Sequence, residues 1–133
     1  MIFNQQGRTE ALSFLPSIRD ATRRSRSPGL PSFDHAIFCT NVTRTATGYA
    51  HDFVNNQYDP REIESMATQH RFADRWSELD PGSKVLVVPT IEEAISCARQ
   101  LGSGHDETVQ VLITGSLHLV GGALSVIEGA DAL

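Results

Sequence analysis

The sequence predicts an α/β domain with a mostly parallel sheet and helices on both faces. Three observations carry this. Short apolar runs alternate along the chain with stretches whose apolar residues recur every three or four positions. The joining segments hold proline, glycine, serine and aspartate, the residues that punctuate regular structure. Lys84 to Val88 is apolar without alternation, as in a strand covered on both faces. Strand and helix alternating in this way make a parallel sheet, with right-handed crossovers.

Each element has its own grounds. Ile2-Phe3-Asn4 is a short apolar strand. Thr9 is placed to cap a helix carrying Leu12, Phe14 and Leu15, and Pro16 argues for its early interruption, because proline lacks the donor a helix interior needs. Residues 24–32 are, but for Leu30, Ser, Arg, Pro and Gly and read as a mobile surface loop. Ala36 to Cys39 is a second strand, and Asn41 to Asn56 reads as loop. Asp59-Pro60 opens a long helix whose face is Ile63, Met66, Ala67, His70, Ala73, Trp76 and Leu79. Asp80-Pro81-Gly82 stops it. Lys84 to Val88 is the third strand. Thr90 and Glu93 form a capping box for a helix burying Ile91, Ala94, Ile95, Ala98 and Leu101, ended by Gly102. Val109 to Ile113 is the fourth strand, and Leu117, Val120, Leu124 and Ile127 mark a final helix beginning near Ser116.

The 133 residues are the size of one domain with its own core. A charged fraction of 20% argues against disorder throughout. No apolar run approaches the roughly 20 residues of a membrane span, and the start does not read as a signal peptide, so no membrane is expected. Cys39 and Cys97 lie far apart in apolar contexts and read as buried thiols. Net charge is −5. The first thirty residues carry five arginines against Glu10 and Asp20, while the remainder holds six basic and fourteen acidic residues. That balance argues against a nucleic-acid partner, whose phosphates need a basic surface. Arg23-Arg24-Ser25-Arg26-Ser27 is the local exception and reads as a solvated loop or a phosphate-binding segment.

The stretch Thr114-Gly115-Ser116-Leu117-His118 turns from the carboxyl end of a strand into a helix, where open α/β sheets bind ligands. Free amides at the helix start favour an anion. Gly115 allows close backbone approach. Ser116 can cap the helix or reach a ligand, and His118 is either a neutral donor to a substrate or a structural histidine. Gly121-Gly122 costs helix stability and implies close packing of this helix on the sheet. Neither G-x-x-x-x-G-K-[ST], nor G-x-G-x-x-G, nor G-x-S-x-G occurs. His51-Asp52 and His105-Asp106-Glu107 lack a defined metal-ligand spacing, so no metal is expected, and His35 and His70 read as partly buried.

Val109 to Leu124, with its string Thr-Gly-Ser-Leu-His-Leu-Val-Gly-Gly, resembles the closing strand and helix of the eukaryotic folylpolyglutamate synthases. Ile2 to Gln6 and Phe38-Cys39-Thr40-Asn41 resemble two earlier strands of that family, and Pro89 to Ile95 matches its fungal members. The resemblance covers residues 1–133, as part of the family's C-terminal domain. It implies a Rossmann-like fold of the kind found in Mur ligases, incomplete at its N-terminus, since the family's Asp-Gly-Ala-His motif does not precede Ile2. The family is implied to add L-glutamate to the γ-carboxyl of folate-bound glutamate through an acyl phosphate, using ATP and Mg, in cytosol and mitochondria. Its phosphate loop and magnesium ligands belong to an N-terminal ATPase domain. The resemblance therefore implies a fragment, inactive alone, that contributes Gly115, Ser116 and His118 to the glutamate side of an interdomain cleft. In the complete enzyme, Ser116 would hydrogen-bond the incoming glutamate or the acyl-phosphate oxygens. A catalytically inactive binding or regulatory module on the same fold is the alternative.

Overall fold

The computed structural model describes residues 1–44, 61, 65–104 and 108–129. Four strands, β1 (Ile2–Asn4), β2 (His35–Cys39), β3 (Lys84–Val88) and β4 (Ile113–Gly115), form one sheet in the order β3-β2-β1-β4. Every pairing is parallel: Phe3 lies opposite Phe38 and Thr114, and Ile37 opposite Leu86. Helices α1 (Ala11–Arg23) and α2 (Ala67–Leu79) cover one face. Helices α3 (Ile91–Gly102) and α4 (Leu117–Glu128) cover the other. The expected α/β, Rossmann-like arrangement is present.

Alternation in the two central strands divides the core. Phe3, Ala36 and Phe38 point to α1 and α2, where they meet Leu15, Phe72 and Trp76. The Phe3 ring stands edge-on to Phe72, with centroids 5.3 Å apart. Ile2, Ile37 and Cys39 point the other way, to Ile91, Ala94, Ile95 and Leu119. β3 is an edge strand whose two faces are both met by helices, Val85 and Val87 packing on the cluster with α1 and α2 and Val88 on the other, while its Leu86 is exposed.

Helix α1 runs through Pro16 instead of stopping there, and Glu10, not Thr9, precedes it without a side-chain cap. Burial of Ala11 and Leu15 outweighs the missing donor. Helix α2 begins at Ala67 because Met66 takes left-handed dihedrals (φ 50°), which a right-handed helix cannot continue. Asp59, Pro60 and Ile63 lie outside the described residues. The buried face of α2 is Gln69, Phe72, Ala73 and Trp76, so His70 is exposed. Asp80 ends it as expected, and its carboxylate accepts from the Ser32 amide at 2.8 Å. Thr90 caps α3 by accepting from the Glu93 amide at 3.1 Å, and Ile91, Ala94, Ile95 and Ala98 are its buried residues, as the spacing predicts. β4 forms later than predicted, with Val109, Val111 and Leu112 exposed before it.

Helix α4 starts where expected but turns a different face inward. Leu119, Gly122 and Ala123 are buried, while Leu117, Leu124 and Ile127 are exposed. Gly122 abuts α3, not the sheet: a Cβ there would stand 2.5 Å from Ile91 Cδ1. Arg23, the last residue of α1, and Arg24, the first of the 24–32 loop, are exposed. Arg26 bridges to Asp34 at 2.7 Å. Among the described residues, no helix is long and apolar enough to cross a membrane.

Candidate functional site

The carboxyl ends of β1, β2 and β4 meet at one end of the sheet. From β1 the chain continues into α1 on one face, and from β4 it continues into α4 on the other. These neighbouring strands send their connections to opposite sides, so a crevice opens between them. This is the topological switch point, where open α/β sheets bind ligands.

A cleft of about 550 Å³ lies there. One wall is Gln5, Gln6, Gly7 and Arg8, which follow β1; the other is Thr114 to His118, with Asn41 from the end of β2 between them. All three predicted residues, Gly115, Ser116 and His118, line this cleft.

Gly115 has φ +126°, and a Cβ on it would collide with the Asn4 carbonyl oxygen. Only glycine meets both demands. That close approach seats β4 against β1 beside the cleft. Ser116 is the N-cap of α4, its Oγ accepting from the Leu119 amide at 3.1 Å. The same hydroxyl donates to Asn41 Oδ1 at 3.3 Å. His118 stands in the first turn of α4, exposed toward solvent.

Behind Ser116 lies a chain of buried amides. Gln69 Nε2 donates to Asn4 Oδ1 at 2.9 Å, and Asn4 Nδ2 donates to Asn41 Oδ1 at 2.9 Å. Asn4 and Gln69 are fully buried. Buried polar groups are costly unless paired; each bond here matches one donor with one acceptor, while Gln69 Oε1 at the end of the chain finds no partner among the described residues. The sequence reading missed Asn4, Asn41, Gln69 and Arg8. The rule that singled out Ser116 applies equally to Gln5–Arg8 and Asn41, which also follow strand ends. Gln69 carried no such signal, since only the fold brings α2 over β1.

Arg8 is the guanidinium of the cleft, and the remaining polar lining is amide, hydroxyl and imidazole. Among the described residues, no carboxylate lines it. Among the described residues, no three His, Cys, Asp or Glu side chains gather as a metal site. His51-Asp52 and His105-Asp106-Glu107 lie outside those residues. The cleft can therefore receive an anion or a polar neutral group, and it is poorly made for a divalent cation.

A folylpolyglutamate synthase of Neurospora crassa is 56% identical over 135 residues, spanning 100% of this chain. The chain resembles the folylpolyglutamate synthases along its whole length. The synthase of Candida albicans is 33% identical over 96% of the chain, and that of Saccharomyces cerevisiae strain YJM789 is 33% identical over 98%. The chain spans only 25%, 24% and 22% of the lengths of these synthases. No protein-family profile matches it, and no solved structure matches it significantly.

Proposed function

We propose that the chain supplies the amino-acid side of the substrate cleft in a folylpolyglutamate synthase, an ATP-dependent ligase that adds glutamate to tetrahydrofolate and its polyglutamates. The observation that carries this is the coincidence of two independent signals. The Thr114–His118 turn, on which the synthase resemblance rests most heavily, forms one wall of the switch-point cleft. Fold physics alone would place a ligand there.

The cleft chemistry agrees with an acidic amino acid as guest. Arg8 offers a charged fork for a carboxylate, and the start of α4 presents amides to an anion. In the proposed reaction, the folate γ-carboxyl is first activated as an acyl phosphate. The amine of the incoming glutamate then attacks that carbonyl carbon, the amide bond forms and phosphate leaves. The role of this chain is to hold the glutamate with its amine free to attack.

ATP and Mg do not fit the described residues. There is no phosphate-cradling loop in the sequence and, among the described residues, no carboxylate in the cleft wall. We assign both to the other part of a longer protein, an ATPase domain that would close over this cleft. The work of binding nucleotide and magnesium lies there, and no step through them is derived for this chain. Cytosol and mitochondria are the proposed compartments.

The test is a chimera. The matching quarter of the Neurospora crassa synthase is replaced with this chain, and glutamate incorporation into tetrahydrofolate is measured. The chimera is expected to be active and the 133-residue chain alone inactive. A folded, inactive chimera, or ATP-dependent turnover by the chain alone, would refute the assignment.

A further inference from the structure

The cleft wall carries a pattern of donors and acceptors that its residue types alone do not set. A hydroxyl has one proton to give and two lone pairs to receive. Ser116 Oγ accepts from the Leu119 amide and gives its proton to Asn41 Oδ1. One lone pair is left, so toward the cleft Ser116 can only accept.

Asn41 is fixed in the opposite sense. Its Oδ1 receives both Asn4 Nδ2 and Ser116 Oγ, which uses both lone pairs. Asn4 is held in turn by Gln69. The Nδ2 of Asn41 makes no hydrogen bond among the described residues, and Asn41 lines the cleft. Toward the cleft, then, Asn41 can only donate. An acceptor and a donor stand side by side on neighbouring residues joined by a 3.3 Å hydrogen bond.

We infer that Asn41 is the specificity-determining residue of this cleft. It turns Ser116 into a receiver of N–H and itself offers N–H to an oxygen, so that the pair reads the adjacent amine and carboxylate of a free α-amino acid. This rests on the reading of the cleft as the glutamate side. It changes the role of Ser116 from donor toward a carboxylate or phosphoryl oxygen to acceptor from the amine. An amine that donates one N–H to Ser116 keeps its nitrogen lone pair for attack. Gln69 and Asn4 are positioning residues that hold the amide of Asn41 in the required sense.

The experiment titrates the ¹⁵N-labelled 133-residue chain with L-glutamate and with glutarate, which has the same two carboxylates and no amine. The readout is the ratio of the two affinities, followed at the Leu119 backbone amide and the Asn41 side-chain amide. L-glutamate is expected to bind about tenfold or more tightly than glutarate. Asn41→Ala frees the Ser116 proton to meet an oxygen, so the ratio should collapse toward one. Asn41→Asp still accepts from Asn4 and Ser116 but has no N–H to offer. It should weaken both ligands and keep the preference for glutamate. A general loosening of the cleft would weaken both ligands without changing the ratio in this pattern. If Asn41→Ala unfolds, Ser116→Ala decides: it should bring glutamate down to the affinity of glutarate while glutarate holds, and equal weakening of both acids would overturn the inference. Glutamate bound with an unchanged ratio in Asn41→Ala would also overturn it while leaving the cleft assignment intact. Binding of neither acid by the unsubstituted chain would overturn both.

Discussion

Cys39 closes β2 with its thiol fully enclosed between the sheet and α3, and burial pushes its pKa up from 9.0 to about 12. The thiolate is the reactive form, so this sulfur should be inert while the chain is folded. Cys97, half-buried on α3, is the accessible thiol of the two. A maleimide or disulfide reagent at neutral pH is expected to label one thiol quickly, at Cys97, and the second only at the rate of unfolding. Fast labelling of Cys39 would show that β2 and α3 separate readily. The pH dependence follows from the same burial. A thiol whose folded pKa is raised contributes stability that is fully present below pH 9 and is lost as pH rises from there toward 12. Alkaline denaturation should therefore be shallower in Cys39→Ala than in the unsubstituted chain, compared from each protein's own neutral-pH stability. The candidate site was legible at this same scale wherever a residue followed a strand end, as Gly115 and Ser116 do. The direction of the Ser116 hydroxyl was not, because it depends on Asn41, 75 positions away.

Between residue and fold, local signals held and facing did not. The Thr90 cap, the Asp80 stop and the start of α4 at Ser116 are each set within a few residues, and each is where the sequence puts it. Helix α4 was misread because it is apolar nearly all round, so its periodicity supports two stripes. Small residues chose between them: the side carrying Gly122 and Ala123 lets α4 approach α3 closely, and the larger Leu124 and Ile127 were left outside. On α2, Gln69 was passed over as polar, yet it is buried, with Asn4 accepting from its Nε2 and its Oε1 left unpaired among the described residues. The two neighbouring glycines of α4 make the packing argument testable. A Cβ at Gly121 meets nothing within 4 Å, so Gly121→Ala is expected to raise stability by about 0.5–1 kcal/mol through helix propensity alone. At Gly122 the same change drives a methyl into Ile91, which is fully buried, and toward Thr43 Oγ1 at 3.2 Å. The crowding term of roughly 1–3 kcal/mol exceeds the propensity gain, and Gly122→Ala should be destabilising. Urea denaturation of both variants reads the two signs. Equal stabilisation would mean that α4 does not sit tightly on α3.

Across the whole molecule, the sheet order decides both where the cleft lies and which surfaces stay open. Strand order is a tertiary property, and no run of residues announces it; uniform apolarity in Lys84–Val88 spoke for cover on both faces and left its place at the edge of the sheet open. The other edge, β4, leaves Val109, Val111 and Leu112 exposed beside it, and α4 adds Leu117 at 89%, Leu124 at 49% and Ile127 at 48% exposure. Between them, a hollow of about 520 Å³ is lined by Ile95, Ala98, Val109, Val111, Ile113 and Ile127, among others. Apolar surface gathered next to an unpaired strand edge favours association, because burial of side chains and pairing of backbone groups reinforce each other. The isolated chain is therefore expected to bind a hydrophobic dye and to scatter light at lower concentration than a domain of its size with a polar surface. Leu112→Lys combined with Leu124→Lys places two charges on that surface without touching either buried cluster. The double variant should lose most of the dye binding and stay clear at several times the concentration, while its unfolding free energy changes by no more than about 0.5 kcal/mol per site. If scattering is unchanged at equal stability, the apolar edge is not the cause, and the exposed Leu86 on β3 at the opposite edge becomes the surface to charge next.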